Sequence, residues 1–174
     1  MKLPKIGQVR LKQHRFVPSE YRLKSVTVSQ TPSGKYYASI FFEYEDQVEE
    51  KELQKFLGLD FSMHELYRDS NGKKPAYPGY YRNAEKKLAR EQRKLSKMQK
   101  GSNNRNKQRL KVAKLHEKVS NQRKDFLHKQ SRQITNAYDC VCIEDLDMKA
   151  MSRSLKFGKS VSDNGWEMHE LDTI

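Results

Sequence analysis

Cysteine is scarce in this 174-residue chain: Cys140 and Cys142 are the two present, too close in sequence to staple a fold. That excludes a disulfide scaffold and makes a reducing, cytosolic compartment the expectation. No apolar run reaches the roughly 18 residues a membrane-spanning helix needs. The opening Met1-Lys2-Leu3-Pro4 has no signal-peptide core, so no export signal is expected either. Tryptophan occurs once, at Trp166. Apolar residues are few, 35% against 33% charged, and the mean hydropathy is −1.01. The core must be lean, with part of the chain not folded around apolar residues. Acids are in deficit too: 22 Asp and Glu face 35 Lys and Arg, a formal charge of +13. Such a balance favours a polyanionic partner, with nucleic acid and an anionic membrane surface as the candidates.

What is present begins with Phe56-Leu57-Gly58-Leu59-Asp60-Phe61-Ser62, a short apolar run broken by one carboxylate. Its length and its charged flanks predict a buried strand. A carboxylate there either caps a backbone amide at the strand end or pairs with a metal, because an unpaired buried charge is costly. The second such run is Tyr138–Asp147, in which Cys140, Cys142 and Glu144 alternate with Val141 and Ile143. Cys-x-Cys alone falls short of a closed zinc site, which needs four ligands, so two small core residues on a strand are expected there. Glu144, at the strand end, is the better site candidate. If both strands share a sheet, Asp60 and Glu144 converge at its edge. Converging carboxylates suit magnesium and phosphodiester hydrolysis with two divalent ions.

The first 50 residues read as β-rich. Gln8–Arg15 and Tyr21–Gln30 alternate apolar and polar residues, Thr31-Pro32-Ser33-Gly34 is turn chemistry, and Tyr36–Tyr44 returns as a strand. The outer residues Lys12, His14, Arg15, Arg22, Lys24 and Tyr37 read as a solvated face rather than a nucleic-acid contact. Glu43–Glu52 reads as a linker or short helix. His64–Arg68 reads as a strand turned by Asp69-Ser70-Asn71-Gly72, and Lys73–Tyr81 as a loop.

The character then changes. Residues 82–132 hold eighteen Lys or Arg against four acids, a local balance of +14 that exceeds the charge of the whole chain. Ala84, Leu88, Leu95 and Met98 make one helical stripe, and Val112, Leu115, Val119 and Phe126 another. Gly101-Ser102-Asn103-Asn104 separates them, with Ser or Asn able to cap the second helix. The pattern predicts a helical hairpin over 82–137 with a thin apolar seam. A merely solvated helix pair would carry more acids for i,i+4 pairing. Nucleic-acid contact is therefore expected from Lys86, Arg90, Arg93, Lys97, Arg105, Lys107, Arg109, Lys111, Lys114, Arg123 and Lys124. Met148–Ile174 mixes Ser, Lys, Gly and Met, compatible with two short helical turns.

Several stretches together resemble the TnpB/OrfB proteins of bacterial insertion sequences, relatives of type V CRISPR effectors. They are GLDFS (58–62), the basic run 87–134 with NQRKDFLHK inside it, CIEDLDMKAM (142–151), SVSDNGW (160–166) and LPKIGQVRLKQHR (3–15). The resemblance spans roughly Leu3 to Trp166. It implies an α+β chain: a small β-barrel-like, wedge-type segment over 1–50, then a partial RNase H/RuvC-like nuclease domain over 55–174 with the hairpin inserted. It also implies RNA-directed DNA cutting, with Asp60 and Glu144 as the first two catalytic, magnesium-binding acids. The hairpin is then the insertion that handles the guide–target duplex, and the partners are a guide-type RNA and DNA. The expected setting is the nucleoid of a bacterium or archaeon, with no membrane contact.

The chain departs from the family pattern at Ser62-Met63, where a further glycine is usual. It also lacks the helical N-terminal lead-in, and the four-cysteine zinc ribbon and third catalytic aspartate that follow Gly-Trp in the family. Asp163 and Asp172 precede that aspartate's place, and no zinc is expected. The sequence therefore reads as an internal fragment or decayed copy that binds nucleic acid without cutting it alone. The alternatives are a non-enzymatic RNA- or DNA-binding regulatory module and a helical protein that docks another protein.

Overall fold

The computed structural model describes residues 2–45, 52–62 and 65–147. These fall into two compact units, one built on the first four strands and one on the remaining strands and both helices. The acidic stretch after Glu45 lies largely outside the described residues, as does everything after Asp147, including SVSDNGW.

In the first unit β1 (Lys2–Leu3) and β2 (Gly7–Gln8) make a two-residue antiparallel pair. Lys5 (φ 64°) and Gly7 (φ 86°) both adopt left-handed backbone to close it. The strand expected over Gln8–Arg15 does not continue beyond Gln8. Among the described residues the ladder stops there, and Leu11 is exposed. Period-two patterning needs a partner strand as well as the pattern. β3 (Arg22–Gln30) and β4 (Tyr36–Glu43) form the larger ribbon, with a bulge between Leu23 and Ser25. Tyr21 stacks on Tyr44 with ring centroids 4.5 Å apart, beyond the open end of this ribbon.

The second unit is a three-stranded sheet in the order β6-β5-β7. β5 (Phe56–Phe61) pairs antiparallel with β6 (Tyr67–Asp69) and parallel with β7 (Cys140–Ile143). The turn at Asp69–Lys73 forms as its sequence predicts: Asp69 N–H donates to the Lys73 carbonyl, and Gly72 takes φ 82°. Glu65 then bridges to Ala76, drawing part of the expected loop back along the hairpin. The parallel strand needs a long crossover, and the helical hairpin supplies it. α1 (Tyr80–Ser96) and α2 (Asn103–Ala137) lie between β6 and β7 in the chain.

The helical segment starts two residues earlier than expected, at Tyr80, because Gly79 turns the chain in the left-handed region at the N-cap. Ser102 caps α2, its hydroxyl accepting from Arg105 N–H. Leu88, Val112 and Val119 of the expected seam are buried. The second half of α2 turns its apolar residues to the sheet instead. Leu127 and Ile134 pack with Leu57, Leu59, Leu66 and Tyr67, and Tyr77, Phe126, Tyr138, Val141 and Ile143 flank them. Leu57, Leu66 and Leu127 are fully buried, each worth about 1.5–3 kcal/mol of apolar burial. That cluster covers one face of the sheet.

Candidate functional site

Alternation along β5 sends Leu57 and Leu59 into the core and Asp60 to the opposite face, where it is exposed. Along β7, Val141 and Ile143 flank the same core while Glu144, the next residue after the strand, is exposed. The parallel register sets Leu59 against Ile143. One residue further along each chain stand Asp60, next to last in β5, and Glu144, just past β7, at the ends of neighbouring strands whose backbones run about 4.8 Å apart. They share an open groove of about 500 Å³ with Gly58, Arg68, Asp69, Ser70, Cys142 and Ile143. The convergence anticipated from the two apolar runs is thus a matter of register.

The cysteines differ from expectation. Cys142 is exposed and Cys140 half-buried, because they alternate out of phase with Val141 and Ile143. The β-branched pair took the core, and the thiols took the groove face. Gly58 is the cross-strand partner of Cys142 and has no side chain to cover it. Burial first, and Cys142 second, push the Cys140 thiol above its ordinary range.

Arg68 carries no motif in the sequence, yet it is the cross-strand partner of Asp60 on the β6 side. Its position depends on how the loop between β5 and β6 closes, and no local pattern announces that. Its Nε lies 3.8 Å from Glu65 Oε2. The buried Ser62 hydroxyl donates to the same oxygen. The Ser62 hydroxyl chiefly, and Arg68 in addition, hold the Glu65 carboxyl below its usual range. Asp69 is occupied differently: its Oδ1 accepts from Asn71 N–H (3.0 Å) and Lys73 N–H (2.7 Å), fixing the turn.

A divalent cation fits the groove by donor chemistry. Asp60 and Glu144 offer oxygen alone in an open, wet setting, which suits magnesium, an ion that keeps several waters and takes one or two carboxylates. Among the described residues no cluster of three His, Cys, Asp or Glu side chains has metal-site geometry.

The basic helices present most of the expected side chains to solvent. Lys86, Arg90, Arg93, Lys97, Lys107, Arg109, Lys111, Lys114 and Lys124 are exposed, and Arg105 and Arg123 are half-buried. Arg105 is engaged in the hairpin itself. Its Nη1 donates to the carbonyls of Leu95 (2.8 Å) and Met98 (3.0 Å), closing the C-terminal end of α1 against the start of α2. Lys111 reaches Glu91 Oε2 at 3.0 Å. Glu91, on the inner face of α1, is 1% exposed. It accepts from Gln108 Nε2 at 2.8 Å and also faces Lys94 and Arg90. The hydrogen bonds from Gln108 and then Lys111 hold its carboxyl down to about 2. Among the described residues no helix is long and apolar enough to cross a membrane.

A family model described as "Probable transposase" (OrfB) matches residues 39–155, which include both acids and the whole hairpin. The chain is 34% identical over 179 aligned positions to "Putative RNA-guided DNA endonuclease InsQ" of Escherichia coli (strain K12), covering 94% of this chain and 44% of that protein. It is 32% identical over 152 positions to a "Putative RNA-guided DNA endonuclease" of Streptomyces pristinaespiralis, covering 87% of this chain and 38% of the relative. The chain thus spans less than half the length of either relative. The chain belongs to the TnpB/OrfB transposase family.

Proposed function

We propose that this chain is a nucleic-acid-binding portion of an RNA-guided DNA endonuclease lineage. In this reading α1 and α2 lie along a guide-type RNA and its DNA target, and β5, β6 and β7 are the start of a RuvC-like sheet. The β1–β4 ribbons belong to a wedge-type element. The observation that carries the reading is the parallel register of β5 and β7, which brings Asp60, near the end of β5, and Glu144, just past β7, to one open groove. Magnesium held there by the two carboxylates would stabilise charge developing on a phosphodiester. The rest is this chain's own work: the hairpin supplies cations for phosphates, and the sheet presents the acids. A two-metal site needs more oxygen ligands than these two side chains provide, so binding without cutting is the expected behaviour of the chain alone.

Fluorescence anisotropy with RNA and DNA oligonucleotides across a salt series tests this. If about six cations meet phosphates, affinity falls roughly 10³-fold between about 50 and 200 mM salt. Salt-insensitive association with a protein would contradict it. A non-enzymatic regulatory binder is the second reading, favoured if magnesium and the Asp60→Ala and Glu144→Ala changes leave affinity untouched.

A further inference from the structure

A groove walled by carboxylates repels the polyanion it is meant to receive. Asp60 and Glu144 both line it, and Asp69 adds a third acid already committed to its turn. Magnesium would offset part of that charge. Among the described residues lining the groove, Arg68 is the one cation.

Its placement is specific. Arg68 flanks Asp60 across the antiparallel ladder, as Glu144 flanks it on the parallel side. A salt bridge straight across to Asp60 would neutralise the acid and use up the guanidinium, but the ion pair runs to Glu65 instead. Glu65 is itself anchored by the buried Ser62 hydroxyl. The guanidinium lies 3.8 Å from that acid, a loose ion pair, while its side chain remains 52% exposed. A planar fork with its outer edge open to solvent is suited to a bidentate grip on phosphate.

We infer that Arg68 binds a backbone phosphate of the strand that crosses the groove, positioning it over Asp60 and Glu144. This rests on the proposed nucleic-acid function, and it adds a second, sheet-borne contact distinct from the hairpin. The contact is electrostatic and geometric, reads no sequence, and needs no covalent step.

The test uses the full chain, a fluorescent single-stranded DNA oligonucleotide and magnesium. Arg68→Ala is expected to weaken binding roughly tenfold, as the loss of a charge-assisted pair does, and to lower the salt slope by about 0.7. Arg68→Lys should restore the slope but only part of the affinity. A second readout localises the effect. Cys142 lines the same groove, so at oligonucleotide concentrations that saturate both proteins it should resist alkylation in the wild type and react in Arg68→Ala. Wild-type affinity, slope and Cys142 protection in Arg68→Ala, with hairpin variants such as Lys107→Gln weakened, would overturn the inference and leave the broader function standing. No salt-dependent binding by the wild type would overturn both. Circular dichroism of the Arg68 variants confirms that the fold persists.

Discussion

Glu91 of α1 and Lys111 of α2 meet at 3.0 Å across the helical hairpin, and the carboxylate of that pair is buried on the inner face of α1. The pair, with Gln108, fixes the register of two helices whose apolar seam is thin. Glu91→Ala leaves the Lys111 ammonium without this acceptor and the Gln108 amide with the Glu91 backbone carbonyl alone, and should lower the melting temperature. The folded-state pKa is depressed, to about 2 from an ordinary 4.5. This contribution is therefore complete above about pH 4.5 and is lost as pH falls towards 2. Thermal melts followed by helical circular dichroism at pH 7 and pH 3 should show a larger gap between wild type and Glu91→Gln at the higher pH.

Leu127 is the joint between α2 and the sheet, fully buried among Leu57, Leu59 and Leu66. Leu127→Ala should cost about 2–5 kcal/mol in urea unfolding, the usual range for such a cavity. Leu110, 37% exposed on the same helix, should change stability by no more than about 0.5 kcal/mol when replaced by Ala. Equal effects at the two positions would mean that α2 does not pack on the sheet as described.

The basic residues of the hairpin divide into two groups. Changing exposed Lys86, Lys97, Lys107 and Lys114 together to Gln should leave the fold intact. It should reduce the logarithmic salt slope of DNA binding by up to about 3.6, at roughly 0.7–0.9 for each phosphate no longer neutralised. Arg105→Ala should do the opposite. Its guanidinium serves the Leu95 and Met98 carbonyls, so stability should drop by about 1.5 kcal/mol while the slope changes little. Salt-dependent anisotropy alongside thermal melting separates the two.

Much of this architecture was legible in the sequence because it rests on local signals. The Phe56 and Tyr138 runs are short, apolar and end in acids. The hairpin announces itself by charge and helical spacing, and Ser102 by its capping chemistry. What escaped depends on pairing between distant segments. Glu91 looks like one more surface acid until Gln108 and Lys111 are brought across to it. Arg68 looks like the ordinary last residue of a short strand until the β5–β6 register puts it beside Asp60. Cys140 and Cys142 read as core because small sulfur side chains usually are, but Val141 and Ile143 were better fillers for the same layer. Gln8–Arg15 has a strand's alternation, but among the described residues its ladder ends at Gln8.

The cysteine placement gives its own check. Cys142, exposed and facing Gly58, should react with iodoacetamide well before Cys140, whose thiol is half-buried and pushed up in pKa. Peptide mapping by mass spectrometry after short labelling times reads the order. Faster labelling at Cys140 would mean that Cys142 is the more covered of the two thiols, against the exposure described.

The pairing of Asp60 with Glu144 is tested most directly by manganese binding, used as a paramagnetic stand-in for magnesium and followed by water-proton relaxation. Wild type, Asp60→Asn, Glu144→Gln and the double variant form one cycle. If the parallel register brings both carboxylates to one ion, either single change should abolish the site and the double change should add almost nothing further. Binding that survives each single change, or losses that simply add, would show that the two acids hold no ion together.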